Sequence, residues 1–536
     1  MMRAAGTLRG ESKRWHSLST ESIVPYQLAR LRQFLKQQVL PFHPFYGPRF
    51  RELGLDAESF RTLADLERLP LTTKADVAPT KELPDRPRDF VLQPTPESLR
   101  ASLPLGRKLG LATTRLIHGA EAVRQQLSLE YRPVQVYFTT GRTSLPTSFF
   151  MTRYDLGILD EAGRRIAEVA TVDPAVDRIV SMFPYAPHLA FWQVQSVGVA
   201  SGTFVLQTGG GKVMGSDGIL RAIRKVRPSF LAGIPGYVYH LVRDAVEAGE
   251  DLSFVRRIFL GGDRVAPGFR EKLIELLGRG GAREPRIVSV LGFTEAKKCW
   301  TECPGGPQYG FHTYPDLDLF EIVDPDTGKS LPDHETGELV YTPLDSRGTL
   351  VLRYRTGDIV AGGIMRERCA GCGRTVPRFG SDLSRRSNIK DFSLTKIKGA
   401  LVNLNAMVDL LNGHAGIDEW QLVIRKRNND PFEIDELALA LALAAGHAED
   451  RVVADIEKQL VSNFELRPSV VEVLPRAELL RRTGMETQLK ENRILDLREP
   501  APKPAAPPSA AAAVTVATTS ESAKSSTSKR VPAKGK

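Results

Sequence analysis

Between residues 134 and 264, short apolar runs alternate with stretches of helical periodicity. The runs read VQVYF, RIVSMF, TFVLQT, FLAGI and RRIFLGG. Strands that alternate with helices lie side by side under a helical cover, so this stretch is confined to a layered α/β fold with largely parallel sheets. A chain of 536 residues exceeds what one core fills, and two to four domains are expected.

The texture changes on either side. Leu28, Leu31, Leu35 and Val39 recur at helical spacing. Residues 41–77 read as helix, turn, helix and a Pro-punctuated loop. From 318 to 360, strands joined by Asp/Gly/Pro turns predict a small, mostly antiparallel β-subdomain. Residues 386–399 are polar and basic, a linker. From 400 to 498 a second small domain follows: strands at WQLVI, LALALAL and SVVEVLP, and an amphipathic helix marked by Val452, Val453, Ile456 and Leu460. The expected architecture is a large multi-layered α/β domain (1–385) with parallel sheets and a β-subdomain, then a small α+β domain (400–498). A tail of Ala, Pro, Ser, Thr and Lys (499–536) has almost nothing to bury and is expected to be disordered.

The formal charge is +10. Half of it lies beyond residue 500, where Lys503, Lys524, Lys529, Arg530, Lys534 and Lys536 face one acid, Glu521. The rest is small for so long a chain, so nucleic acid is not an expected partner. No apolar run is long enough for a membrane span, and no apolar core follows the basic start, so no secretory signal and a cytoplasmic location are expected.

Three short motifs suit nucleotide chemistry. FTTGRTSLPTSFFMT follows a strand and gathers hydroxyls around glycine and proline, a loop able to offer hydroxyls and N–H groups to phosphate. It is not a Walker loop, because GxxxxGK[ST] is absent. LGFTE places Glu295 at the end of a strand, where α/β ligands bind and where a carboxylate could hold Mg²⁺. YRTGD places Asp358 after a glycine, where it could accept hydrogen bonds from ribose hydroxyls. GGD, residues 261–263, closes another strand.

In this order and spacing, the motifs resemble the adenylate-forming acyl-activating superfamily, specifically its phenylacetate–CoA ligase-like branch, over residues 26–498. PFYGPRFRELGLD with LADLERLPLTTKADV looks like that branch's N-terminal signature, and TKIKGALVNLNAM like the opening of its mobile C-terminal lid. The resemblance implies ATP-dependent formation of an acyl-adenylate and transfer to coenzyme A. It implies that Thr139, Thr140, Gly141, Arg142, Thr143 and Ser144 surround the phosphates, and that Gly261, Gly262 and Asp263 flank adenine with Leu291, Gly292 and Phe293. Thr294 and Glu295 would serve phosphate and Mg²⁺, and Asp358 the ribose. Lys490 in KENRILD would be the adenylation lysine, supported by Arg493 and Asp496; a competing alignment puts Met485, after Gly484, there. Arg142 and Ser144 depart from the family's threonine and glycine. Leu489 stands in place of glycine. Asn388, Asp391 and Ser393 are the hinge candidates.

The aromatic stretch FPYAPHLAFW and the segment GIPGYVYHL would wall the acyl group through Tyr185, His188, Phe191, Gly233 and Tyr237. An aryl or arylacetic acid is the first expectation and a fatty acid the second. A protein or carrier acceptor, and a degraded nucleotide-binding homologue, are the alternatives. The assembly leaves room for a homodimer. The only cysteines are Cys299, Cys303, Cys369 and Cys372. CAGCGR with ECPGGPQYGFH offers a structural zinc site of Cys303, His312, Cys369 and Cys372, with Cys299 as a spare.

Overall fold

The computed structural model describes residues 15–139, 147–385, 395–397, 400–402, 404–426, 435–464, 466–485 and 491–497. The alternation seen in the sequence becomes one twisted sheet. Its strands are β3 (Arg178–Ser181), β4 (Phe204–Gln207), β5 (Phe230–Gly233), β6 (Arg257–Gly261), β7 (Arg286–Phe293) and β8 (Lys298–Thr301), in the order β4-β3-β5-β6-β7-β8. All pairs are parallel except β7–β8. β5 is buried along its whole length, as expected of a strand covered on both faces.

One strand departs from the expectation. VQVYF forms β1 (Pro133–Phe138), which leaves the parallel sheet and pairs antiparallel with β2 (Ser148–Thr152). An apolar run fixes strand character but not its partner.

The N-terminal helix Thr20–Phe34 continues into a π-turn, Leu35–Val39. Leu31, Leu35, Phe42, Tyr46 and Phe50 share a core with Leu319, Tyr341, Leu350 and Tyr354 of the β-subdomain. A small sheet joins β9 (Phe311–His312), β13 (Ile364–Met365) and β14 (Arg378–Phe379). The larger sheet of that subdomain is antiparallel: β10 (Asp318–Val323), β11 (Gly337–Pro343), β12 (Tyr354–Val360) and β15 (Leu383–Arg385).

The lid opens with a hairpin of β16 (Thr395–Ile397) and β17 (Ala400–Val402), so it begins inside the stretch read as linker. Its main sheet combines β18 (Ile417–Lys426), β19 (Asp435–Leu443), β20 (Val470–Val473) and β21 (Ile494–Asp496) in the order β20-β19-β18-β21. Val452, Ile456 and Leu460 face this sheet from the helix Glu449–Phe464, whose apolar residues recur at helical spacing. Among the described residues no helix is long and apolar enough to cross a membrane.

Candidate active site and metal centre

The phosphate-loop motif begins where β1 ends. Phe138 donates its N–H to Pro187 O (2.9 Å) and its carbonyl lies 2.8 Å from His188 Nδ1. His188 is thereby a strut that fixes the loop's entry. Thr139 N donates to Thr147 O (3.1 Å), and its buried hydroxyl has no hydrogen-bond partner among the described residues. A buried polar atom without a partner is costly unless a ligand or water meets it. Thr140, Gly141, Arg142, Thr143 and Ser144 lie outside the described residues.

LGFTE carries the chain from β7 towards β8. Leu291, Gly292 and Phe293 stand opposite Trp300, Cys299 and Lys298. Gly292 is required by close approach: a Cβ there would lie 2.2 Å from Cys299 Sγ. Thr294 and Glu295 then occupy a single turn, Thr294–Ala296, closed by Lys297 N donating to Thr294 O (3.1 Å). Tyr354 donates its hydroxyl to Glu295 Oε1 at 2.7 Å, and no other residue among those described bonds this carboxylate.

The two lysines that follow are already engaged. Lys297 Nζ contacts Asp155 (2.7 Å) and donates to Ser346 (2.6 Å); Lys298 Nζ contacts Asp318 (2.9 Å) and donates to Tyr341 (2.8 Å). Burial opposes the charge on Asp155, but the Lys297 ammonium outweighs it and holds this carboxyl well below the usual range. These cations build the floor under Glu295 and are spent on carboxylates there, not on phosphate. Glu295 and the buried Thr139 hydroxyl supply hard oxygen donors of the kind a Mg²⁺–phosphate group takes.

On the side expected to take the nucleoside, Gly261 ends β6 in tight quarters: a Cβ would meet Val290 O at 3.0 Å. Gly262 follows at φ +90°, and Asp263 Oδ1 accepts from Arg264 N (2.8 Å). Asp358 lies inside β12, not after a free turn. Gly357 at φ +77° and a register shift opposite Glu338 and Val340 kink that strand. Thr356 secures the kink, donating its hydroxyl to Leu339 O (2.9 Å) and accepting from Asp358 N (3.1 Å).

The two segments expected to wall the acyl group meet through a loop that the sequence analysis does not single out, Gly209–Gly210–Gly211. A Cβ on Gly210 would press on Pro184, and one on Gly211 on the Tyr237 ring at 3.0–3.3 Å. Three consecutive glycines after a strand were the available signal. Tyr185 (65% exposed), Phe191 and Trp192 form an aromatic group with centroids 5.2–6.2 Å apart. Gly233 at the end of β5 packs within 2.7 Å of Val238 if given a Cβ. Tyr237 is buried below, its hydroxyl 3.4 Å from Ser216 Oγ.

The expected zinc ligands converge. Cys303, His312, Cys369 and Cys372 place one ligand atom each within 4.8 Å of one another. Cys303 Sγ lies 3.6 Å from Cys369 Sγ, and Cys372 Sγ lies 3.3 Å from His312 Nε2. The Cys369–Cys372 turn closes with Gly373 N donating to Cys369 O (2.8 Å), Gly373 being at φ +76°. Four soft donors in a compact buried group fit a closed tetrahedral Zn²⁺. Cys299 is not a fifth ligand: it is buried on β8 with Tyr137, Phe183 and Val288, and burial pushes its thiol up to about 12.

The lid docks on the large domain through buried charge. His240 Nε2 lies 2.7 Å from Glu419 Oε1, and Arg243 contacts Asp418 at 2.5 Å. Arg493 contacts Glu419 (2.8 Å) and Glu491 (2.5 Å) and lies over Trp420. Glu491 rests on Gly236, where a Cβ would collide with its carboxylate. Lys490 itself lies outside the described residues, as do Asn388, Asp391 and Ser393. Met485 is buried in a large-domain cluster with Tyr237, Val238 and Leu241. A cleft of about 640 Å³ opens on the lid between Asp409, His414, His447 and Arg451, and its Asp409 pairs with Arg264, next to Asp263, at 3.0 Å.

Comparison with known proteins agrees with this geometry. The AMP-binding enzyme family matches residues 119–343. The phenylacetate–coenzyme A ligase of Thermus thermophilus is 25% identical over 88% of this chain and 95% of its own. That of Pseudomonas putida is 25% identical over 64% and 67%. Among solved structures, 2-hydroxyisobutyryl-CoA ligase in the postadenylation state superposes with a TM-score of 0.69 at 18% identity, over 90% of this chain and 91% of that one. In the thioesterification state the same ligase gives 0.56 at 19% identity, over 91% and 92%. These likenesses define a class: residues 119–343 match the AMP-binding enzyme family, and over most of its length the chain is similar to AMP-forming acid–CoA ligases. Within that class its likeness is to the phenylacetate–coenzyme A ligases.

Proposed function

We propose that the preferred acid is an aryl or arylacetic acid. The observation that carries this reading is the aromatic group Tyr185, Phe191 and Trp192, joined to the Gly209–Gly211 loop by Tyr185 N donating to Gly209 O (3.2 Å), with the Tyr237 ring against Gly211. A ring slides between aromatic faces and glycine backbone, whereas a long acyl chain needs a tunnel past Tyr237. The names of the curated relatives point the same way.

In the first step a carboxylate oxygen attacks the α-phosphorus of ATP and pyrophosphate leaves. Two anions must meet, so neutralisation and alignment supply most of the acceleration. Thr139 and the loop 140–144 hold phosphate oxygens, Thr294 and Glu295 hold phosphate and Mg²⁺, and Asp358 holds the ribose. Gly261, Gly262, Asp263 and residues 291–293 form the adenine side. Lys490 neutralises the reacting oxygens. The burial of Met485 supports this choice, since an ammonium at 485 would be desolvated among apolar side chains. In the second step the thiolate of coenzyme A attacks the acyl carbon and AMP leaves. Zn²⁺ at the Cys₃His group is structural. The test is acid-dependent pyrophosphate release across a panel: phenylacetate and benzoate should give a higher kcat/KM than hexanoate or decanoate, and the reverse order overturns the aryl assignment.

A further inference from the structure

The carboxylate of Glu295 is aimed by a device that begins far away in the sequence. Its partner Tyr354 is buried and opens β12. The residue before it, Arg353, has φ +44°, a left-handed conformation that a side-chain-bearing residue keeps only when its surroundings over-determine it. Here they do. The Arg353 guanidinium, itself buried, donates to Glu321 through Nε (3.1 Å) and NH2 (2.8 Å) and to Leu69 O through NH1 (2.8 Å). Thr72 N donates to Arg353 O and Arg355 N donates to Thr72 O, both at 2.9 Å, so Thr72 brackets Tyr354 from both sides. Tyr46 completes the bracket: its hydroxyl lies 2.7 Å from Thr72 Oγ1 and accepts from Leu352 N at 2.7 Å.

We propose that Tyr354 is a positioning residue for the adenylation step: its hydroxyl fixes one oxygen of Glu295 so that the carboxylate presents a set direction to Mg²⁺, and the Tyr46–Thr72–Arg353 bracket holds Tyr354 in place. This rests on the reading of Glu295 as the Mg²⁺ carboxylate. A ligand whose other oxygen is hydrogen-bonded does not have to be ordered when the metal arrives, and losing such a support typically costs about 10–100-fold in metal affinity. The bracket also gives the N-terminal segment a role in the chemistry, since residues 69–72 reach the site only through β12.

The test is equilibrium binding of Mn²⁺ to the full chain with a non-hydrolysable ATP analogue, read by electron paramagnetic resonance, beside thermal melts. Tyr354→Phe should weaken Mn²⁺ by about 10-fold while melting close to wild type. Glu295→Gln should weaken it at least as much, and adding Tyr354→Phe to Glu295→Gln should change nothing further. Unchanged Mn²⁺ binding in Glu295→Gln overturns the Glu295 reading and the proposal with it. A loss in Glu295→Gln with a silent Tyr354→Phe, or with effects that multiply in the double variant, overturns the positioning role alone. Should Tyr354→Phe fail to fold, Tyr46→Phe, which removes only the hydroxyl under Leu352, should weaken Mn²⁺ by a smaller factor; unaltered binding in that variant overturns the bracket.

Discussion

At position 292 a single methyl group is too many. Gly292 faces Cys299 across β7 and β8, and a Cβ would overlap the sulfur. Gly292→Ala should lower stability by about 1–3 kcal/mol, the usual cost of overpacking a tight core. Cys299→Ala in the same chain should restore most of it, because the atom then facing the new methyl is the residue 299 Cβ, at 3.3 Å. Thermal melts of the two single variants and the double variant check this; a Gly292→Ala chain that melts with wild type would show that the strands do not approach so closely. At this scale the sequence was most readable where chemistry restricts residue type. Cysteine and histidine in knuckle spacing named four side chains that the fold does bring together. What stayed hidden was pairing: nothing in either residue announces that Tyr354 bonds Glu295, because the contact is set by how β12 lies over the β7–β8 turn. The buried lysines 297 and 298 were silent for the same reason.

Among elements, the cysteine turn ties the β9–β13–β14 sheet to the loop after β8. Cys372→Ser should therefore lose zinc and lower the melting temperature, while the chemical step per folded molecule changes little, since a closed site offers no open coordination position. Elemental analysis and a melt with chelator check it; protein prepared without chelator and containing no zinc would contradict it. Strands at LALALAL and WQLVI and the helix at Val452–Leu460 were legible because burial on one face imposes a period. The place of β1 was not, since an antiparallel partner ten residues on competes with the parallel sheet, and the pattern of one strand favours neither. The linker was overdrawn at its end because Thr395–Ile397 is too short to show a period.

For the whole molecule, the decisive contact is between lid and large domain. Glu419 is buried against His240 and Arg493; burial opposes its charge, but the Arg493 guanidinium and the His240 contact outweigh it and bring its carboxyl down to about 2 from the usual 4.5. A depressed carboxylate stabilises the docked fold above pH 4.5 and loses that contribution as pH falls from 4.5 towards 2. Glu419→Gln should flatten the acid decline of the melting temperature across that window and, by loosening the lid, slow adenylation more than thioester formation. Breaking a buried charge pair costs about 3–5 kcal/mol, so the effect is measurable. Lys490→Ala should slow acyl-adenylate formation by roughly 10²-fold, the scale of one lost electrostatic contact, yet leave thioester formation from synthetic adenylate near normal; equal loss in both steps would contradict a lid that presents different faces in turn.

The proposed reaction joins a carboxylic acid to coenzyme A through its adenylate. Product analysis of one reaction containing ATP, Mg²⁺, phenylacetate and coenzyme A tests it most directly. The expected products are AMP, pyrophosphate and acyl-CoA in equal amounts, with acyl-adenylate accumulating when coenzyme A is withheld. ADP and inorganic phosphate as products, or no acid-dependent pyrophosphate with any acid of the panel, would contradict it.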